Sequence, residues 1–200
     1  MTDTNNQAPF KDVLYYEDEL PIRWKGINWP VTPNYLDAIN RENELLLQVL
    51  LSSDETLPEK EEEIPEAKTE LRHLDTKINL LLNWVGNLMM QASPLPESQR
   101  IRISAFGIAF NSTPLLTPGE YLLVEWFPDH HYPQALKLFV HVLEYMVDTD
   151  NIEQRADQPA NTIAEFVGGS EHVQDLISKY IFRHHRRGIA QQKRMKQKDE

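Results

Sequence analysis

The chain has 200 residues, 40% of them apolar, which is enough for a core and fits one domain with an elaboration or two small domains. Its formal charge of −11 and pI near 5.1 argue against nucleic acid as the partner of the whole chain. The absence of cysteine excludes disulfides, thiolate metal sites and thiol catalysis. The polar start MTDTNNQAPF has neither the basic nor the apolar region of a secretory signal. No apolar run approaches the roughly 20 residues of a membrane span. A soluble cytoplasmic protein is expected.

Met1 to Pro9 reads as a disordered lead. Asp12 to Trp24 is strand-like in VLYY and IRW and is interrupted by EDEL and Pro21. Proline cannot donate to a ladder, so an edge strand or an extended arm is expected, and residues 1–31 form an N-terminal arm. Thr32-Pro33 then opens a helix, with a hydroxyl at the cap and proline at the first helical position. Leu36, Ile39, Asn43, Leu46 and Leu50 follow at steps of three and four. Asn43 is the polar member of that seam, a device that fixes register and oligomer state in coiled coils.

Ser52 to Glu63 breaks the pattern. From Asp54 to Glu70 eight acids stand against two lysines, which reads as a solvated loop and the polar face of the next helix, or as an acidic docking surface. Pro65 suits another helix start. Ile64, Ala67, Leu71, Leu74, Ile78, Leu81, Val85 and Leu88 alternate steps of three and four over about three and a half heptads. Leu80, Leu82, Trp84 and Met89 widen the apolar surface, and a heptad helix this broad buries more than one face. Self-association through Leu71, Leu74, Ile78, Leu81, Val85 and Leu88 is expected, with an internal hairpin against residues 33–52 as the alternative. Heptads alone leave dimer and tetramer open. Ser93, Pro94 and Pro96 end the helix, so residues 32–92 form a helical hairpin or coiled-coil oligomerisation element.

From Arg100 the period changes to two. In IRISAFGIAF, Ile101 and Ile103 share one parity and Phe106, Ile108 and Phe110 the other. One strand can serve one core only by bulging between Ser104 and Gly107. Turn residues Asn111 to Pro114 and Pro118-Gly119 lead to a strand over Glu120 to Phe127. Pro128 to Pro133 is a loop, and Gln134 to Val147, apolar on both parities, is one strand or two with a slip. Asp148 to Asn161 is polar and turn-rich, and Thr162 to Val167 is a short strand. Short strands between turns predict a small antiparallel barrel.

Gly168-Gly169-Ser170 is a turn and a helix cap. Val173, Leu176, Ile177, Tyr180 and Ile181 mark an amphipathic helix lying against the barrel. Arg183, Arg186 and Arg187 crowd its last turn and Gly188 closes it, giving a barrel domain over 93–188 and a basic tail over 189–200. From Arg183 seven lysines or arginines face two acids. This complements the helix end and continues as a disordered tail, or contacts phosphate, RNA or an acidic partner. His130-His131 beside Asp129 lack the i, i+4 geometry of a helical metal pair, and there is neither a phosphate-cradling glycine loop nor a nucleophile elbow. No catalytic residue and no metal site is expected.

In this order, RISAFGIAF, PGEYLLVEW, a long apolar strand and IAEFVGGSEHVQDLISKYIFRHHRR resemble a PilZ domain over Arg100 to Gly188. With the two heptad-bearing helices the chain is similar to the atypical, tetrameric branch of that family over nearly its whole length. The resemblance implies an α+β fold: a small antiparallel β-barrel with a C-terminal helix, plus a two-helix heptad-bearing insertion that oligomerises. It implies a non-enzymatic signalling adaptor of bacterial cyclic di-GMP pathways. No cofactor is implied; the partners are the chain itself, as a tetramer ahead of a dimer, and an unidentified protein.

Cyclic di-GMP is the candidate ligand. The family motif of Asp or Asn, any residue, Ser, two residues and Gly falls on Arg102, Ser104 and Gly107, so the serine and glycine match and the first position does not. The family's arginine pair, four apart on an arm before the barrel, has no upstream counterpart. Arg23 and Lys25 are two apart, Lys68 and Arg72 lie inside the heptad helix, and Arg100 is the other nearby arginine. The degenerate candidate site is therefore Arg100, Arg102, Ser104 and Gly107. Arg102 has donors but no acceptor for the guanine N–H groups, so weak or absent standard binding is expected, with a receptor using non-standard arginines as the alternative.

Overall fold

The computed structural model describes residues 9–53, 66–92, 94–129, 133–146 and 160–196. The expectations for the lead 1–8, for the acidic stretch 54–65 with Ile64 and Pro65, for His130-His131 and for the turn-rich segment 148–159 lie outside the described residues. Within them the order is β1 (Tyr15–Gly26), α1 (Pro33–Ser53), α2 (Glu66–Ala92), β2 (Ser98–Ser104), β3 (Gly107–Ser112), β4 (Tyr121–Trp126), β5 (Leu136–Met146), β6 (Ala160–Phe166) and α3 (Glu171–Lys196).

The strands close a barrel in the order β1-β2-β3-β6-β5-β4, each pair antiparallel. Alternation along each strand fills the interior with Ile101, Ile103, Ile108, Phe110, Val124 and Trp126, all buried. The amphipathic stripe of α3 joins this core: Val173, Leu176, Ile177, Tyr180 and Ile181 are all buried, as the sequence spacing predicts. Ser170 caps the helix, its Oγ accepting from the Val173 N–H at 3.1 Å. The turn before it needs Gly168, whose φ of +70° is left-handed and whose missing Cβ would press on Leu36 and Trp29 at 2.8 Å.

Three local expectations change. IRISAFGIAF is not one bulged strand but two, β2 and β3, joined at Ala105-Phe106, with Ile101 opposite Phe110 and Ile103 opposite Ile108. Reversing the chain returns both apolar sets to one core, so no bulge is needed. β1 is not an edge strand. Its first half pairs with β2 through Pro21 and its second half with β4 from Ile22, and this closes the barrel. Pro21 stands at the hand-over, where its carbonyl accepts from the Phe127 N–H at 3.0 Å. Finally, α3 runs through Gly188 to Lys196, so most of the basic tail is helical. β5 is one strand with a slip between Val142 and Glu144.

Among the described residues α1 packs on α3 and β5 rather than in a hairpin with α2. Asn43, 2% exposed, finds its partner on β5 of its own chain. Its Nδ2 donates to the Lys137 carbonyl at 2.8 Å and its Oδ1 accepts from the Lys137 N–H at 3.0 Å. Lys137 lies beyond the reach of β6, whose pairing with β5 starts at Val140. The carboxamide thus completes the ladder where a strand is missing.

Candidate functional site

The turn between β2 and β3 carries the sequence-predicted site. Ser104 is 0% exposed. Its Oγ accepts from the N–H groups of Phe106 at 3.1 Å and Gly107 at 3.2 Å, and donates to the Pro9 carbonyl at 3.2 Å, with the Gly107 carbonyl at 3.4 Å. The hydroxyl is committed to folding the two-residue turn and to holding the N-terminal segment over it. A Cβ at Gly107 would lie 2.3 Å from the Ala164 carbonyl of β6 and 2.3 Å from Pro9 Cγ. Glycine is therefore required for the close approach of β6 and Pro9. Next to it Phe10, 1% exposed, packs with Ala109, Ile163 and Tyr15 on the outer face of β1, β3 and β6.

Arg102 is on the same outer face, because Ile101 and Ile103 point inward. Its guanidinium stacks 4.9 Å from the Tyr15 ring centroid and 5.9 Å from that of Phe10, and lies 3.9 Å from Glu17. Arg100 is one pleat further and exposed, its Nε donating to Glu17 Oε1 at 2.6 Å. The four predicted residues thus fall into two pairs. Ser104 and Gly107 are sealed in the turn, and Arg100 and Arg102 converge on Glu17.

A family model described as "Atypical PilZ domain, cyclic di-GMP receptor" matches residues 46–194. The chain belongs to the atypical PilZ family. The crystal structure of a pathogenic protein from Xanthomonas campestris, described as a new tetrameric PilZ domain self-assembled via an unusual helical bundle, is 26% identical. The match has a TM-score of 0.71 and covers 90% of this chain and 93% of that one. The structure of an inhibitor of motility from Bacillus subtilis is 18% identical, with a TM-score of 0.35 over 44% of this chain and 41% of that chain. No curated protein matches.

PilZ domains are ligand-binding and adaptor domains rather than enzymes. Among the described residues no cluster of three or more His, Asp or Glu side chains could hold a metal, and no helix is long and apolar enough to cross a membrane.

The heptad stripe of α2 lies at the surface. Leu74, Ile78, Leu81, Val85 and Leu88 are all exposed, Leu88 at 64%, as are Leu80, Leu82 and Trp84 beside them. The side chain of Leu71 lies outside the described residues. Two features escape sequence reasoning. Pro9-Phe10 covers the turn, although the apolar dipeptide at the end of a polar lead is a signal for it. Asn40 of α1 also binds the loop before α3, donating to the Gly168 carbonyl at 3.1 Å and accepting from the Ser170 N–H at 3.3 Å.

Proposed function

We propose that this chain is a non-enzymatic PilZ signalling adaptor that assembles through α2, acts through protein contacts, and binds cyclic di-GMP at the β2–β3 turn weakly or not at all. The observation that carries the reading is the cover over Ser104 and Gly107. A ligand at that turn would have to displace Pro9 and Phe10 and break the hydrogen bonds of a buried hydroxyl. Arg102 offers donors where guanine N–H groups need an acceptor, and losing one charge-assisted contact costs roughly 1.5 to 3 kcal/mol, about ten- to a hundredfold in affinity. Assembly is supported by the exposed stripe of α2 and by the bundle-built tetramer described for the Xanthomonas relative. Leu82 and Trp84, flanking the stripe, favour a tetramer over a dimer because they widen the face beyond a two-helix seam.

Calorimetric titration with cyclic di-GMP at micromolar protein, run beside a sedimentation measurement, tests both halves. No heat and a mass above the monomer are expected. Tight binding that Arg102→Ala abolishes would sink the first half, and a clean monomer at high concentration the second.

A second reading, a true cyclic di-GMP receptor using non-standard arginines, is favoured by the family description and by Arg100, Arg102 and the arginines of α3, Arg183, Arg186 and Arg187. It predicts tight binding in the same titration, lost when those arginines are replaced.

A further inference from the structure

Between the C-terminal turns of α1 and α3 lies an open groove of about 820 Å³. Its floor is apolar, made by Leu51, Leu176 and the ring of Phe182, which is 54% exposed. Its rim is basic: Lys179, Arg183, Arg186 and Arg187 recur at helical spacing on one face of α3. Among the described residues no carboxylate lines it. Arg183 donates to the Leu51 carbonyl, which ties the last turn of α1 to α3 and fixes the two walls. The Arg186 guanidinium sits 5.6 Å from the Phe182 ring centroid, so its stem extends the apolar floor while its charge stays at the rim.

Charge alone would suit a phosphate ligand, but the exposed aromatic ring and leucine floor call for apolar groups as well. A channel between two packed helices has the shape that receives a third helix. We propose that this groove is the docking site for an acidic amphipathic helical segment of a partner protein, with apolar side chains on the floor and carboxylates facing Lys179 and Arg186. Lys179 pairs with Asp175 at 2.7 Å, an exposed i, i+4 contact that yields to a new carboxylate at little cost. The inference supplies the partner chemistry for the adaptor reading and rests on it.

The test is fluorescence anisotropy with the full chain and a labelled synthetic helix carrying leucines at i, i+3, i+4 and i+7 and glutamates elsewhere. Saturable binding is expected, weakened about tenfold or more by Phe182→Ala and by Arg186→Glu and unchanged by Lys25→Glu on the exposed side of β1. Both groove positions are exposed, and circular dichroism confirms that the variants fold. Absence of saturable binding overturns the proposal, as does equal affinity for a probe with serines in place of the leucines. Displacement of the helix by cyclic di-GMP also overturns it, by making the groove a phosphate site. The nucleotide titration and the mass of the same samples report on the adaptor reading separately, so either inference can fail alone.

Discussion

Pro9 and Gly107 touch across the outer face of the barrel, and the contact exists only because residue 107 has no Cβ. An added methyl would meet Pro9 Cγ and the Ala164 carbonyl, each at 2.3 Å. Pro9 can move, but the carbonyl belongs to the β3–β6 ladder and cannot, since Ala164 pairs with Ile108. Gly107→Ala should therefore cost about 1–3 kcal/mol, read from urea unfolding. For a chain of this size each kcal/mol lowers Tm by about 2–4 °C. Gly26→Ala, with nothing within 4 Å of its added Cβ, is the control and should stay within about 0.5 kcal/mol. A Gly107→Ala variant as stable as the control would remove the steric argument.

Asn43 gives a second stability test. Replacing it with leucine keeps the branched shape but strips the Lys137 N–H and carbonyl of their partners in a buried place. The expected loss is about 1–3 kcal/mol. Sedimentation should not change, because the carboxamide serves β5 of its own chain. A change in mass with little loss of stability would return Asn43 to the register role that its heptad position suggests.

Much of this fold is legible in the sequence because its signals are local. The five apolar positions of α3, the proline-initiated α1 and the period of two after Arg100 each follow from spacing along one element. What misleads is long-range. The parity change in IRISAFGIAF is the same for a bulge and for a two-residue hairpin, and only the partners of Ile101 and Ile103 decide between them. Pro21 reads as an edge because a proline cannot donate, yet a barrel strand that changes partners at that residue needs no donor there. At the candidate site the motif letters place Ser104 and Gly107 correctly in one turn. Nothing in the motif says that Pro9, ninety-odd residues earlier, lies over it. The groove between α1 and α3 is likewise invisible until both helices are packed.

The stripe on α2 predicts a clean separation of assembly from folding. Leu81→Asp with Val85→Asp places two charges on a face that is exposed in the single chain, at 56% and 52%. The barrel of the variant should stay folded and unfold at a denaturant midpoint that no longer depends on subunit concentration, while the sedimenting mass falls to that of one chain. Burying unpaired carboxylates between helices is costly, so two substitutions per subunit should suffice. A variant that keeps the mass of the parent chain would show that α2 does not hold the subunits together.

Tyr16 makes stability fall at alkaline pH. Its hydroxyl donates to Asp18 Oδ2, and its ring lies 6.4 Å from that of Tyr180 and 4.9 Å from that of His184. Burial holds its ionisation above the ordinary tyrosine range, and the hydrogen bond to Asp18 and the Asp18 charge push the same way. In the unfolded chain a tyrosine ionises near pH ~10. The folded chain holds the proton to higher pH, so Tyr16 contributes its full stabilisation below that point and loses it as pH rises beyond. The urea midpoint should be level on this account through neutral pH and fall above about pH 10. Tyr16→Phe should flatten that alkaline limb, since phenylalanine has no proton to lose. Absorbance near 295 nm should show the parent chain releasing one tyrosine proton only as it unfolds, a step missing from the variant. An alkaline limb of the same slope in Tyr16→Phe would assign the loss to other groups.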